Sequence, residues 1–411
     1  MEEILKSVKE ASRVVATLNG ETKRKVLREM ADRLEKYTSE IIEENKKDLE
    51  YAKENNLSDA LIDRLFLNEK RIKSMADALR DISNLKDPVG RVIDGWKIDN
   101  GLTIEKVKIP IGVIGIIYES RPNVTSDAAG LCFMSGNACI LKGGKEAYHS
   151  NSVIIEILRY VLEKNKLPVD AISILPDYSR SGVDYLIKQD KYVDLIIPRG
   201  GEALIKYVSE NSKVPVVKHD KGLCHVYIHK DADLEKAVKI AINAKIQRPG
   251  VCNAMETLLV DRAIAGEFLP KIKEEMEKNE VELRGCEITL EYIDIKKASE
   301  EDWHTEYLDK ILSIRVVDNL EDAIEHIEKY GSGHSDAIVT ENYSVAEEFL
   351  NRVDSACVYV NASTRFTDGG VFGFGAEVGI STNKLHARGP MGIDDLTTYK
   401  YKIYGNGQVR E

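Results

Sequence analysis

The sequence predicts an α/β protein with two doubly wound parallel-sheet domains and a small antiparallel β-flap. Three observations carry this. Apolar runs of strand length alternate with helical stretches between residues 111 and 217. The same alternation begins afresh near residue 231. Two segments far apart in the chain, 91–108 and 396–405, instead alternate apolar and polar residues with a period of two.

The first 88 residues are helical by their spacing. Ile4, Leu5, Val8, Ala11, Val14, Val15 and Leu18 make one apolar stripe, and Gly20 closes it. Val26, Leu27, Met30 and Leu34 begin a second, a third runs from Leu49 to Asn56, and residues 60–85 continue until Asp87-Pro88. The Lys and Glu residues between them are solvated helix faces.

The flap comes next. Arg91–Ile98 and Leu102–Lys108 flank Asp99-Asn100-Gly101, a hairpin turn signal, and Thr397–Tyr404 shows the same alternation. Such two-faced strands are expected to pair across their edge with a neighbouring chain; the other reading is a hairpin folded onto its own domain.

In the first α/β unit the apolar runs are 111–117, 138–141, 171–175, 195–197 and 214–217. The expected helices are 124–135, 147–164, 181–190 and 202–209. Nucleotides bind such sheets at the carboxyl ends of the strands. The loops there are Glu119-Ser120-Arg121-Pro122-Asn123, Lys142-Gly143-Gly144-Lys145 and Pro198-Arg199-Gly200-Gly201. Each offers glycine for close backbone approach or a cation for phosphate. No G-x-G-x-x-G is present, so a dinucleotide would bind without the usual fingerprint.

The second unit holds a helix at 234–244, a strand at 257–260, helices at 263–278 and 320–330, and strands at 313–317, 336–340 and 356–361. Between its first helix and first strand lies Gln247-Arg248-Pro249-Gly250-Val251-Cys252-Asn253. Pro249-Gly250 breaks the helix and places Cys252 on a loop, where a scaffold can present a reactive thiol. A thiolate is a strong acyl nucleophile. Taken alone, the loop is equally compatible with an ordinary half-buried cysteine.

The chain has 411 residues, is 43% hydrophobic and 31% charged, and carries a formal charge of -11. That balance argues against a nucleic-acid footprint and against an anionic membrane surface. No apolar run reaches the ~20 residues of a membrane span, and the start of the sequence does not read as a signal peptide. The six cysteines show neither paired nor zinc-like spacing, which reads as reduced thiols in a cytoplasm with no metal site.

With these residues in view, the sequence resembles the aldehyde dehydrogenase superfamily. Gln247–Asn253 is similar to its nucleophile loop and Gly136–Ala147 to its cofactor segment. The closer resemblance is to the γ-glutamyl phosphate reductase branch. It is carried by Tyr118–Thr125, Ile197–Gly201, Cys224–Tyr227, Val360–Gly370, Gly375–Glu377 and His386–Gly392. The resemblance implies a cofactor domain over 1–230 with part of 365–395, a catalytic domain over 231–364, and a flap from 91–108 and 396–405 used in oligomerisation. It implies NADPH-dependent reduction of L-glutamate 5-phosphate to the semialdehyde in proline biosynthesis. A homodimer or homotetramer is expected, and the resemblance leaves room for a functional association with glutamate 5-kinase.

By the same resemblance Cys252 is the nucleophile and Asn123 an oxyanion donor. Ser120, Arg121, Pro122, Lys142, Gly143, Gly144, Pro198, Arg199, Gly200, Gly201 and Glu306 contact the cofactor. Lys142 holds the adenosine ribose or its phosphate, with Lys145 beside it. Arg248, Arg365 and Arg388 are candidates for the substrate's phosphate and carboxylate, because guanidinium pairs with both; Asn253 and His386 are substrate contacts. The Glu-Leu-Gly-Gly motif of hydrolysing members has no counterpart, since Lys218–Leu223 lacks a glutamate. Asp220 is a candidate base in that stretch. Two rivals stay open: a reductase of acyl-CoA thioesters, and a non-catalytic protein on the same fold.

Overall fold

The computed structural model describes residues 1–217 and 221–410. The chain divides into two compact units: Met1–Lys218 with Gly373–Gly379 and Pro390–Glu411, and His219–Phe372 with Ile380–Gly389.

The first unit begins with helices Glu2–Val15, Gly20–Lys36, Thr38–Glu54, Asp59–Leu65 and Glu69–Asn84. Most of each expected stripe is buried, including Leu5, Val8, Val26, Leu27, Met30 and Leu79, but Val14 of the first stripe is exposed. Lys23 is fully buried here because its ammonium is satisfied, by Asp87 at 2.6 Å and the Met134 carbonyl at 3.2 Å. A four-stranded parallel sheet follows, in the order Ile172–Ile174, Ala138–Lys142, Val113–Tyr118, Leu195–Arg199. The run at 214–217, expected as a further strand, contributes only a bridge from Val216 to Ile196. Pro215 within it has no amide to give a ladder.

The flap is a three-stranded antiparallel sheet in which Thr103–Pro110 lies between Val92–Lys97 and Thr397–Tyr404. Its register with the carboxyl-terminal strand runs from Thr397 opposite Pro110 to Tyr404 opposite Thr103. Val92, Ile93, Trp96, Tyr399, Tyr401 and Ile403 stand exposed on it, with Trp96 and Tyr401 in edge contact at 6.2 Å.

The second unit is a seven-stranded parallel sheet. Its order is Lys296–Lys297, Glu282–Gly285, Ile311–Val317, Met255–Asp261, Cys224–Ile228, Ser335–Val339, Cys357–Val360. Helices Leu234–Ile246 and Arg262–Lys278 pack on its core through Ala237, Ala241, Ala244, Phe268, Leu269 and Ile272. The expected boundary at residue 230 is therefore corrected to 218. Cys224–Ile228 pairs on both sides within this sheet, with Met255–Asp261 and Ser335–Val339, and cannot belong to the first unit. The segment expected to return to the cofactor domain, 365–395, is shared: 373–379 and 390–395 do so, while 365–372 and 380–389 stay with the second unit. Among the described residues no helix is long and apolar enough to cross a membrane.

Candidate active site

In the first unit the three glycine- or cation-bearing loops lie at the carboxyl ends of three adjacent parallel strands. Ser120 follows Val113–Tyr118 in a left-handed conformation (φ 38°), and Pro122 then opens the helix Pro122–Met134. Proline suits that first helical position because its missing N–H would have had no partner there. Two carboxylates knit the loops together. Glu146 accepts from the amide and hydroxyl of Ser120, at 2.7 and 2.8 Å. Glu119 accepts from the Gly201 amide at 3.0 Å.

Gly201 leaves its backbone open to a ligand, whereas Gly143, Gly144 and Gly200 are closely packed by Asn151, Glu146 and Glu119. Nothing lies within 4 Å of where a Gly201 Cβ would stand. The helices opened by Arg121 and Gly201 have no side-chain cap on their first-turn amides. Uncapped helix starts at strand ends fit the phosphates of a dinucleotide.

Lys142, expected at the adenosine ribose or its phosphate, is enclosed at its strand end. It is 6% exposed, and its ammonium donates to the carbonyls of Tyr178 (2.8 Å) and Gly143 (3.1 Å). Burial lowers its pKa, against the pull of the Glu146, Asp177 and Glu119 carboxylates. One ammonium hydrogen is left over by these two bonds, which suits a ribose hydroxyl better than a phosphate dianion. Lys145, at the next helical turn, is exposed.

Asn123 is exposed in the first turn of its helix and donates to Asp127 at 2.9 Å. Arg199 ends its strand half-buried, and its charge favours the ionised form of Asp127.

The second unit carries the thiol. Helix Leu234–Ile246 ends, Pro249-Gly250 turns, and Val251–Ala254 makes a second turn with the Ala254 amide on the Val251 carbonyl (3.0 Å) before strand Met255–Asp261. Cys252 is half-buried on that turn, unlike the fully buried Cys132, Cys139 and Cys224. Its backbone is tightly held. The Cys224 thiol donates to the Cys252 carbonyl at 3.2 Å, and a Cβ on Gly222 would stand 1.9 Å from the same oxygen. Asn253 is buried, donating to the Thr367 carbonyl (2.7 Å) while its own carbonyl accepts from Thr364 (2.8 Å). Asn253 thus holds the loop; its buried side-chain oxygen has no protein partner.

Arg365 is half-buried and donates from Nε to Gln247 at 2.9 Å. Burial lowers its pKa and the nearby Arg248 lowers it further, while Cys252 raises it. Two guanidiniums that repel each other beside a thiol are relieved by an anion. Glu306 accepts from the Gly222 amide at 2.9 Å, so it borders the same loop. Arg388 is engaged elsewhere: it donates to the Asp354 carboxylate at 2.7 Å and carbonyl at 2.8 Å. That pairing gives it a structural task as well. His386 is exposed in a left-handed turn (φ 71°). Asp220 lies outside the described residues.

Sequence reasoning missed Asp127, Glu146, Gly222, Lys245 and Glu256. Asp127 was legible as the i+4 neighbour of Asn123. Glu256 was legible as a lone charge at the mouth of an apolar strand.

The sequence model of the Aldehyde dehydrogenase family matches residues 1–285 and 296–401. The chain belongs to the aldehyde dehydrogenase family. Within it, the chain is 80% identical over its whole length, and that of its relative, to a γ-glutamyl phosphate reductase of Nautilia profundicola. It is 69% identical, again over both whole chains, to one of Nitratiruptor sp.. A crystal structure of γ-glutamyl phosphate reductase from Thermotoga maritima superposes with a TM-score of 0.97 at 50% identity, covering 100% of this chain and 99% of that one.

Proposed function

We propose that this oxidoreductase reduces L-glutamate 5-phosphate to L-glutamate 5-semialdehyde and phosphate through a thioester on Cys252, with NADPH as reductant. This is the second step of proline biosynthesis from glutamate. The observation that carries the reading is the half-exposed Cys252 beside Arg365 and Arg248, two cations whose mutual repulsion an anionic acyl donor relieves. The names and identities of the full-length relatives support the substrate.

The Cys252 thiolate attacks the acyl carbon, the carbon–sulfur bond forms, and the carbon–oxygen bond to phosphate breaks. Arg365 and Arg248 hold the departing phosphate by charge-assisted pairing. Asn123 and backbone amides of the Cys252 loop stabilise the oxyanion. Asn253 and His386 complete the substrate contacts. Bound NADPH supplies the hydride that reduces the thioester. Collapse of the thiohemiacetal then breaks the carbon–sulfur bond, frees the aldehyde and returns Cys252 to its resting state.

Ser120, Arg121, Pro122, Gly143, Gly144, Pro198, Arg199, Gly200 and Gly201 form the phosphate-binding backbone, Lys142 meets the adenosine ribose, and Glu306 the nicotinamide ribose. The flap's exposed aromatic and aliphatic residues support homo-oligomer formation, and the reduced cysteines support a cytoplasmic setting. The test is purified protein with glutamate semialdehyde, NADP⁺ and phosphate: NADPH formation is expected. Turnover with coenzyme A replacing phosphate would instead select the acyl-CoA reading.

A further inference from the structure

A closed chain of contacts surrounds the nucleophile loop, and one carboxylate sits at its base. Glu256, 1% exposed, begins the strand that leaves the loop; Lys245, fully buried, ends the helix that enters it. Lys245 donates to Glu256 Oε2 at 2.6 Å, so the pair closes the two ends of the loop on each other. The second oxygen, Oε1, accepts from the Leu308 amide at 3.2 Å. Leu308 is held left-handed (φ 53°), a conformation that a leucine adopts only under restraint. Two residues before it, Glu306 accepts from the Gly222 amide, and Gly222 packs against the Cys252 carbonyl. On the other side, the position of a Gly250 Cβ is 3.5 Å from the Leu308 carbonyl.

We propose that Glu256 is a positioning residue that fixes the 306–308 segment to the Cys252 loop, so that Glu306 and the thiol keep one register. This rests on the reading of Glu306 as a contact to the nicotinamide ribose. Burial raises the pKa of Glu256 and lowers that of Lys245, and the contact between the two opposes both shifts.

A single substitution would strand a buried charge, so the test uses paired variants. Lys245→Met with Glu256→Gln removes both charges and keeps an acceptor for the Leu308 amide. Lys245→Met with Glu256→Met removes the acceptor as well. NADP⁺ affinity by calorimetry and Cys252 alkylation by iodoacetamide are measured on each. The Gln pair is expected to bind NADP⁺ as the native protein does. The Met pair, at similar thermal stability, is expected to bind about tenfold more weakly, the effect of one lost buried hydrogen bond, and to alkylate at a changed rate. Equal NADP⁺ affinity in the two pairs overturns the proposal. Glu306→Gln is the control: if it binds NADP⁺ normally, the reading of Glu306 fails and the proposal with it. If it binds weakly while the two pairs match, the proposal alone fails. Should the Met pair not fold, hydrogen exchange decides on the native protein. Exchange at residues 306–309 is expected to slow when NADP⁺ binds, and unchanged exchange overturns the proposal.

Discussion

The side-chain amide of Asn123 donates to Asp127 across 2.9 Å, one turn along the helix Pro122–Met134. Ser126 fastens the same turn by donating to the Asn123 carbonyl at 3.0 Å. A carboxamide nitrogen has two hydrogens, so one remains for an oxyanion. Burial pushes the Asp127 carboxyl up to about 6. Above that pH it is a charged, stronger acceptor that orients the amide; below it, the proton weakens the hold. The kcat of the native enzyme should therefore fall as pH drops through about 6, and Asp127→Asn should flatten that limb of the pH–rate profile. Asn123→Ala should lower kcat by about 10²-fold, the usual cost of one oxyanion donor.

Cofactor choice should be set by Lys145 more than by Lys142. Lys145→Ala is expected to raise KM for NADPH more than for NADH. Lys142 is buried on two carbonyls, so Lys142→Ala should weaken both cofactors alike and lower Tm. Steady-state kinetics with each cofactor separates the two lysines.

The acyl-enzyme should wait for phosphate. Cys252→Ala is expected to abolish turnover and leave NADP⁺ binding and Tm unchanged, since the side chain is half-exposed. In the native enzyme, semialdehyde oxidation without phosphate or arsenate should give a burst of about one NADPH per site and then stop. Sustained turnover in phosphate-free buffer would require a water-activating base, with Asp220 the first residue to replace.

Much of this architecture was legible in the sequence because burial on both faces leaves a plain mark. Runs such as Ile111–Ile117 and Leu195–Ile197 could only be interior strands, and Asp99-Asn100-Gly101 fixed a hairpin. The domain boundary was not legible. Cys224–Ile228 is as apolar as the strands before it, and only its partners on either side assign it to the second sheet. At the site, Pro249-Gly250 announced the Cys252 loop from neighbouring residues alone. Arg388 could not be judged that way, since its partner Asp354 lies 34 positions earlier. The surroundings of Lys142 were hidden for the same reason, since the Tyr178 carbonyl it meets lies 36 positions later.

Lys245→Met alone should destabilise the protein by about 3–5 kcal/mol, because Glu256 is left buried without its counter-charge. Without Lys245 the Glu256 pKa rises further in the folded state. The folded variant then binds a proton that the unfolded chain has released above about 4.3. Because Glu256 is already raised to about 7 in the native pair, the deficit relative to the native protein should grow as pH rises above about 7. Urea titrations at several pH values read this directly.

Association should run through the flap. Trp96→Asp with Tyr401→Asp places two charges on its exposed aromatic pair. The doubly substituted protein is expected to shift to the monomer mass in light scattering, with both parallel-sheet units intact by circular dichroism. An unchanged mass would return the flap to the hairpin-on-its-own-domain reading.

The register of the flap also sets a timetable. Its central strand, Thr103–Pro110, is complete early in synthesis, yet one of its two neighbours arrives only with Thr397–Tyr404; Glu105 and Tyr404, which touch across the ladder, are 299 positions apart. Until then the ribosome-bound chain has a lone hairpin, which is marginal in water. The helices and first parallel sheet can form while the chain is still growing. Until Thr397–Tyr404 arrives, the edge of Thr103–Pro110 that it covers is left unpaired, so the last strand to be made is also the one that closes this edge.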